Sequence, residues 1–249
     1  MSTPVSSPPC CIFCGRPFRE QALPEHLLRL PGIGEKLRYV PQCDCYRKER
    51  EKEERRRREE EARRLQEEHF AELFKRSRLA PRFAKRTLSS FHPRDARQEE
   101  VLQVFSDYLC SFGEVRSKEL NGIYLFGAPA RGKTHLAAGL VNELLQQGVF
   151  CIYAKCAELP PSLRAHFRDG EKEKVITPLL EAELLVLDDL GAEERRDWFF
   201  DDLYRILDHR MEWLLPTVIT SNLSPAEVCA RYGKRIASRI ERMCKILEV

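Results

Sequence analysis

The run Gly127-Ala128-Pro129-Ala130-Arg131-Gly132-Lys133-Thr134 reads GAPARGKT and fits the spacing GxxxxGK[ST], whose backbone N–H groups surround the phosphates of a nucleotide. In that chemistry Lys133 reaches the β- and γ-phosphates, the Thr134 hydroxyl sits on Mg²⁺, and the loop residues from Gly127 to His135 make the binding surface. Ala130 stands where many such loops carry glycine; if the position needs positive φ, alanine is strained there and affinity is weakened. Farther along, Asp188-Asp189 closes a run of four apolar residues. Asp188 is expected to hold Mg²⁺ through water, and Asp189 to orient or deprotonate the attacking water, with Glu193 close enough in sequence to share the basic role. Asn222 is either an amide that senses the γ-phosphate or a helix cap before Pro225, and spacing leaves both open. Arg235 and Arg239 are four apart on one helix face, as a surface pair or as guanidinium groups able to reach a neighbouring subunit's γ-phosphate.

A second chemistry lies near the start. Cys11-x₂-Cys14 and Cys43-x-Cys45 make two thiolate claws, enough for one tetrahedral Zn²⁺. Gly15 suits the tight turn after Cys14, while Cys10 and His26 are competing ligands. About fifty residues cannot build a core unaided, so a metal is expected to supply the missing stability. Ten cysteines, clustered here and scattered elsewhere, point to a reducing cytoplasm rather than to disulfides.

The elements that must position these groups follow from pattern. The apolar run at 123–126 reads as a buried strand ahead of the loop, and residues from His135 onward are apolar at helical spacing. Strand, loop, helix is the context the loop needs, because the helix N-terminus adds its positive dipole end to the anion site. Further strands are expected at 149–154, 184–187, 217–220 and 246–249. Helices are expected at 98–112, with Gly113 ending it, at about 197–212 and at 225–242. A mixed segment fills 157–183. Parallel strands joined by crossover helices are the economical arrangement.

Upstream, residues 47–64 contain one uncharged residue, Ala62. Mixed Arg and Glu without apolar seam positions predict a solvated helix held by i,i+4 pairs, a spacer between two domains. Residues 75–97 hold eight basic residues, one acid, Asp95, and two phenylalanines, Phe83 and Phe91. The favoured reading is that the aromatics pack on the next domain and the charges face water. Residues 1–9, rich in Ser and Pro, are expected to be disordered and unlike a secretory signal. A net charge of +3 does not by itself imply nucleic-acid binding, and no apolar run approaches the roughly 18 residues of a membrane span.

Together GAPARGKTHLAAGLVNELL, LLVLDDLGAE, TSNLSPAE and GKRIASRI resemble the AAA+ helicase loaders of the DnaC/DnaI type and the related IstB transposition helpers, over about residues 78–249. The resemblance implies an α/β fold, an AAA+ P-loop parallel sheet flanked by helices, preceded by a small zinc-binding domain (1–46) and a charged helical linker (47–77). It implies ATP with Mg²⁺, Lys133, Thr134, Asp188 and Asp189 in the roles above, Asn222 as sensor and Arg239 as an arginine finger acting in trans beside Arg235. It puts Arg164 and Arg168 where relatives insert a helix that meets single-stranded DNA, and residues 75–97 over the adenine. The Cys-rich front looks like the region of DnaI-like loaders that contacts the replicative helicase. Ala130, and Asp189 where many such ATPases carry Glu, imply slow turnover. The function implied is an ATP-dependent loader of the replicative DNA helicase, cytoplasmic and assembling with copies of itself. The alternatives are an IstB-like ATPase helper of a DNA transposase and an ATP-binding adaptor with little hydrolysis.

Overall fold

A computed structural model describes residues 9–22, 24, 39–167 and 171–249. Most of the expected N-terminal disorder, His26 and Arg168 lie outside the described residues. The chain divides into Met1–Gln66 and Glu67–Val249.

In the first unit, β1 (Arg19–Glu20) pairs antiparallel with β2 (Tyr39–Val40). Ahead of them the chain turns back on itself: the Gly15 N–H donates to Cys11 O and the Cys11 N–H to Arg16 O, both at 2.8 Å. Gly15 supplies the left-handed residue, φ 71°, that this turn requires. Helix α1 (Cys45–Arg76) begins on the last of the clustered cysteines, so the spacer helix starts at the claw itself and extends past residue 64. The i,i+4 pairs are present, among them Arg50–Glu54 at 3.5 Å and Arg56–Glu60 at 3.7 Å. Each such pair stabilises a helix by only about 0.2–0.5 kcal/mol, so high helix propensity carries much of this exposed stretch.

The second unit is built on a five-stranded parallel sheet in the order β4-β5-β6-β3-β7: β3 is Gly122–Phe126, β4 Cys151–Lys155, β5 Leu184–Leu190, β6 Thr217–Ser221 and β7 Cys244–Glu248. The central strands are buried on both faces, which is why they read as unbroken apolar runs rather than as alternation. One face is covered by α4 (Lys133–Gln146), α2 (Ala96–Cys110) and the segment carrying Leu79, Phe83, Leu88 and Phe91. The other is covered by α5 (Leu159–Phe167), α6 (Lys172–Glu181), α7 (Asp197–Glu212), α8 (Pro225–Tyr232) and α9 (Lys234–Met243). Phe83 and Phe91 are buried as expected of the basic segment.

Several boundaries differ from the pattern reading. Gly113 does not end a helix but lies inside a short one, α3 (Phe112–Val115), because the chain breaks earlier, at Ser111. The expected helix at 225–242 is two: Gly233, at φ 86°, separates α8 from α9. The mixed segment holds two helices, since Pro160 and Pro161 fall in the first turn of α5, where a missing N–H costs no helical bond. Strand β5 extends through Asp188-Asp189 to Leu190, so the acids lie within the strand.

Candidate nucleotide site and cysteine cluster

The loop between β3 and α4 has the backbone the sequence demands. Gly132 sits at φ 93°, and a Cβ there would strike the Phe91 ring; a Cβ on Gly127, φ 150°, would run into the Val249 carbonyl. Ala130 adopts φ 63°, so the expected strain is present. Lys133 Nζ folds back to donate to Gly127 O and Ala128 O, each at 2.8 Å, and to Asn222 Oδ1 at 2.7 Å. Burial pulls its ammonium below the usual lysine range, against the opposing pull of Asp189 and Asp188. A cavity of about 320 Å³ lies here, lined by Pro129, Ala130, Lys133, Thr134, Asp189 and Asn222 among others.

Asp189 reaches this cavity, and Asp188 the Thr134 hydroxyl that lines it, through an irregularity. Leu187 pairs with Ile219, but Leu190 pairs with Ser221, so β5 carries one extra residue opposite β6. Asp189 takes φ 59° at that bulge. Side chains that would alternate across a regular strand therefore both face the loop. Thr134 Oγ1 donates to Asp188 Oδ1 at 3.1 Å, and Asn222 Nδ2 donates to Asp189 Oδ1 at 3.3 Å. Burial, then the neighbouring Asp188 charge, raises Asp189 above the ordinary carboxylate range, a shift toward a proton acceptor. The oxygen donors of Thr134 and Asp188 suit a hard cation such as Mg²⁺.

Asn222 is not the helix cap. That role belongs to Ser224, whose side chain accepts the Glu227 N–H in a capping box. Glu193 does not share the basic role: its buried carboxylate accepts from the Tyr232 hydroxyl and, at 3.0 Å, from the Gly191 N–H. Arg131 turns away from the phosphate cavity to pair with Asp95, the N-cap of α2, while Gln98 Nε2 donates to Arg131 O at 3.1 Å. His135 Nε2 lies 3.0 Å from Ser90 Oγ and 3.1 Å from Thr87 O, so it anchors the basic segment beside the loop. Both Arg131 and His135 line a second cavity of about 380 Å³ with Phe91, His92 and Arg94. Arg239 Nε donates to Asp208 Oδ1 at 2.8 Å and its Nη2 to the Tyr204 hydroxyl at 2.7 Å. Arg235 lies over the same ring. Pattern reading missed Thr220, which bonds both acids, and Asp95, whose partner lies 36 residues away.

In the first unit the sulfurs of Cys11, Cys14, Cys43 and Cys45 lie within 4.8 Å of one another; Cys10 is not among them. Four zinc–sulfur bonds of about 2.3 Å put sulfurs about 3.8 Å apart, so the set fits a closed structural site. Burial opposes ionisation of Cys11, but the Phe13 and Cys14 N–H groups, together with the Cys43 and Cys14 thiols, outweigh it and bring the thiol down to about 7. Cys45, crowded by Cys14 and Cys43, is pushed up to about 12. Such thiols cannot all ionise unless a cation sits between them.

A parallel sheet in this order, with a phosphate loop after β3, next to the edge strand β7, and paired acids on β5, the next strand but one, defines an AAA+ P-loop domain with a cysteine cluster before it. The sequence profile of the IstB-like ATP binding protein family matches residues 51–247, and the chain belongs to that family. It is similar to the replicative helicase loader DnaI of Bacillus subtilis (strain 168), 31% identical over 135 residues, 54% of this chain and 43% of DnaI. The chain thus spans less than half of that relative's length. It is also similar to the replicative helicase loader DnaC of Escherichia coli (strain K12), 26% identical over 171 residues, 67% of each chain. The crystal structure of the DnaC helicase loader superposes with a TM-score of 0.62 at 27% identity, covering 68% of this chain and 99% of that one. No helix among the described residues is long and apolar enough to cross a membrane.

Proposed function

We propose that the protein is an ATP-dependent loader of the replicative DNA helicase. The observation that carries this reading is the meeting of Lys133, Thr134, Asp189 and Asn222 at one cavity, with Asp188 bonded to Thr134 beside it, in a family of ATP-binding proteins whose relatives include two named helicase loaders. Lys133 donates to two loop carbonyls and to Asn222; phosphate oxygens would take over those bonds, freeing Asn222 to report the γ-phosphate. Thr134 and Asp188 would hold Mg²⁺, which neutralises phosphate charge when bound. Asp189 orients the attacking water. It is a shorter acid than Glu, and with Ala130 strained in the loop it supports slow turnover, a switch rather than a motor. Arg239 would leave Asp208 to reach a neighbouring copy's γ-phosphate.

A cavity of about 640 Å³ joins Pro160, Pro161 and Arg164 of α5 to Arg196 and Trp198. Guanidinium groups beside an indole that is 40% exposed suit the phosphates and bases of single-stranded DNA. The front unit, stapled by zinc on its four cysteines, grips the helicase.

Nucleotide binding and DNA-stimulated turnover test the ATPase reading: Lys133→Ala loses both, whereas Arg239→Ala keeps binding and loses turnover. A pull-down with the replicative helicase, repeated after deleting residues 1–46, tests the partner. Capture undiminished by the deletion removes the front unit from that role, and no capture by the whole chain removes the loader reading.

A further inference from the structure

Thr220 touches both acids of the crevice from a strand that carries neither. Its hydroxyl donates to Asp188 Oδ1 at 2.6 Å, and its oxygen accepts the Asp189 N–H at 2.9 Å. A hydroxyl has one proton and two lone pairs, so the two bonds do not compete. The second bond answers a need the sheet creates. The extra residue of a bulge lacks a ladder partner, and the register slip between Leu187 and Leu190 puts Asp189 in that position. Asp189 also holds φ 59°, which a non-glycine residue keeps only when its surroundings impose it. Thr220 is itself 1% exposed, so no bulk water stands ready to replace either bond.

We propose that Thr220 is the positioning residue of the acidic pair. It keeps Asp188 turned toward Thr134, where the cation is to be held, and it closes the bulge that turns Asp189 toward Asn222. The strand that leads into the sensing amide thereby also fixes both acids, two residues upstream of it. A threonine in a buried strand is ordinarily explained by its branched side chain alone. Here the hydroxyl makes specific bonds to a carboxylate and to the N–H of the bulge, and these define its role. The cation part of this inference rests on the crevice being an ATP–Mg²⁺ site.

Thr220→Val removes the hydroxyl at nearly constant shape, and Thr220→Ser retains it. Two readouts are needed. In the nucleotide-free protein, hydrogen exchange of the Asp189 amide is expected to be slow in the wild type, at least about tenfold faster in the valine variant, and slow again in the serine variant. In calorimetric titrations of ATP at varied Mg²⁺, the Mg²⁺ concentration for half-maximal binding is expected to rise about tenfold in the valine variant and to return with serine, while metal-free ATP affinity stays put. Fast exchange of the Asp189 amide in the wild type overturns the proposal even if the valine variant fails to fold. So does a folded valine variant with wild-type exchange and Mg²⁺ dependence. Should the wild type take up no ATP with Mg²⁺, the reading of the crevice fails, and the exchange measurement still decides whether Thr220 holds the bulge.

Discussion

Ala130 holds a backbone conformation that costs an L-residue about 1–2 kcal/mol, and it does so at the lip of the phosphate cavity. Glycine would remove that strain at an entropic cost of about 0.5–1 kcal/mol. Ala130→Gly is therefore expected to raise the unfolding free energy by up to about 1 kcal/mol in urea titrations and to tighten ATP binding; a looser, less stable protein would show that the loop is not strained. Asp95 is a second residue-scale case. The Arg131 guanidinium, and then the Gln98 N–H, hold its carboxyl below the ordinary carboxylate range. A folded-state value lowered in this way stabilises the protein above the ordinary carboxylate range, and the contribution disappears as pH falls through the folded value. The melting-temperature gap between wild type and Asp95→Asn should thus be widest near neutrality and narrow below about pH 4. A gap independent of pH would remove the ion pair from the account.

At the scale of elements, Arg210 on α7 is the side chain that ties helices to strands at the far end of the sheet. It is fully buried and donates to Leu179 O and Ala182 O, each at 2.9 Å, to Pro216 O at 2.6 Å and to Thr217 Oγ1 at 2.9 Å. Burial pulls its guanidinium down to about 9, which leaves it charged at neutral pH. Arg210→Met would strand several carbonyls, each an uncompensated loss of about 1–3 kcal/mol. A destabilisation of about 3 kcal/mol or more in urea unfolding is expected, and a variant as stable as wild type would contradict this reading. Nothing in the sequence marks Arg210 out from the other arginines, because its partners are backbone carbonyls brought together by α6, α7 and β6. Gly233 shows the opposite case: the residue type was visible, but the break it makes between α8 and α9 depends on how the two helices pack on the sheet.

For the molecule as a whole, the two units differ in what stabilises them. Glu67–Val249 has buried clusters on both faces of its sheet, whereas in the first unit Cys11 is the one buried apolar side chain among the described residues. Metal binding is therefore expected to supply most of the front unit's folding free energy. Elemental analysis should find about one zinc per chain. Chelation should abolish ordered structure in the front unit, read by hydrogen exchange, while the main thermal transition of the ATP-binding unit stays in place. Loss of both together would mean that the units do not fold independently.

The sequence determined the phosphate loop, the strand–loop–helix around it, the acid types on the third strand of the nucleotide domain and the two cysteine claws. In each of these the chemistry constrains residue type within a few positions. Only the tertiary structure decided the rest. Asn222 became a partner of Lys133 and Asp189 because Ser224 took the cap; Glu193 was withdrawn from the site by Tyr232, 39 residues away. Asp188 and Asp189 came to face one crevice through a bulge that exists only in the pairing of β5 with β6. Roles set by partners distant in the chain depend on packing, and local residue spacing carries no record of it.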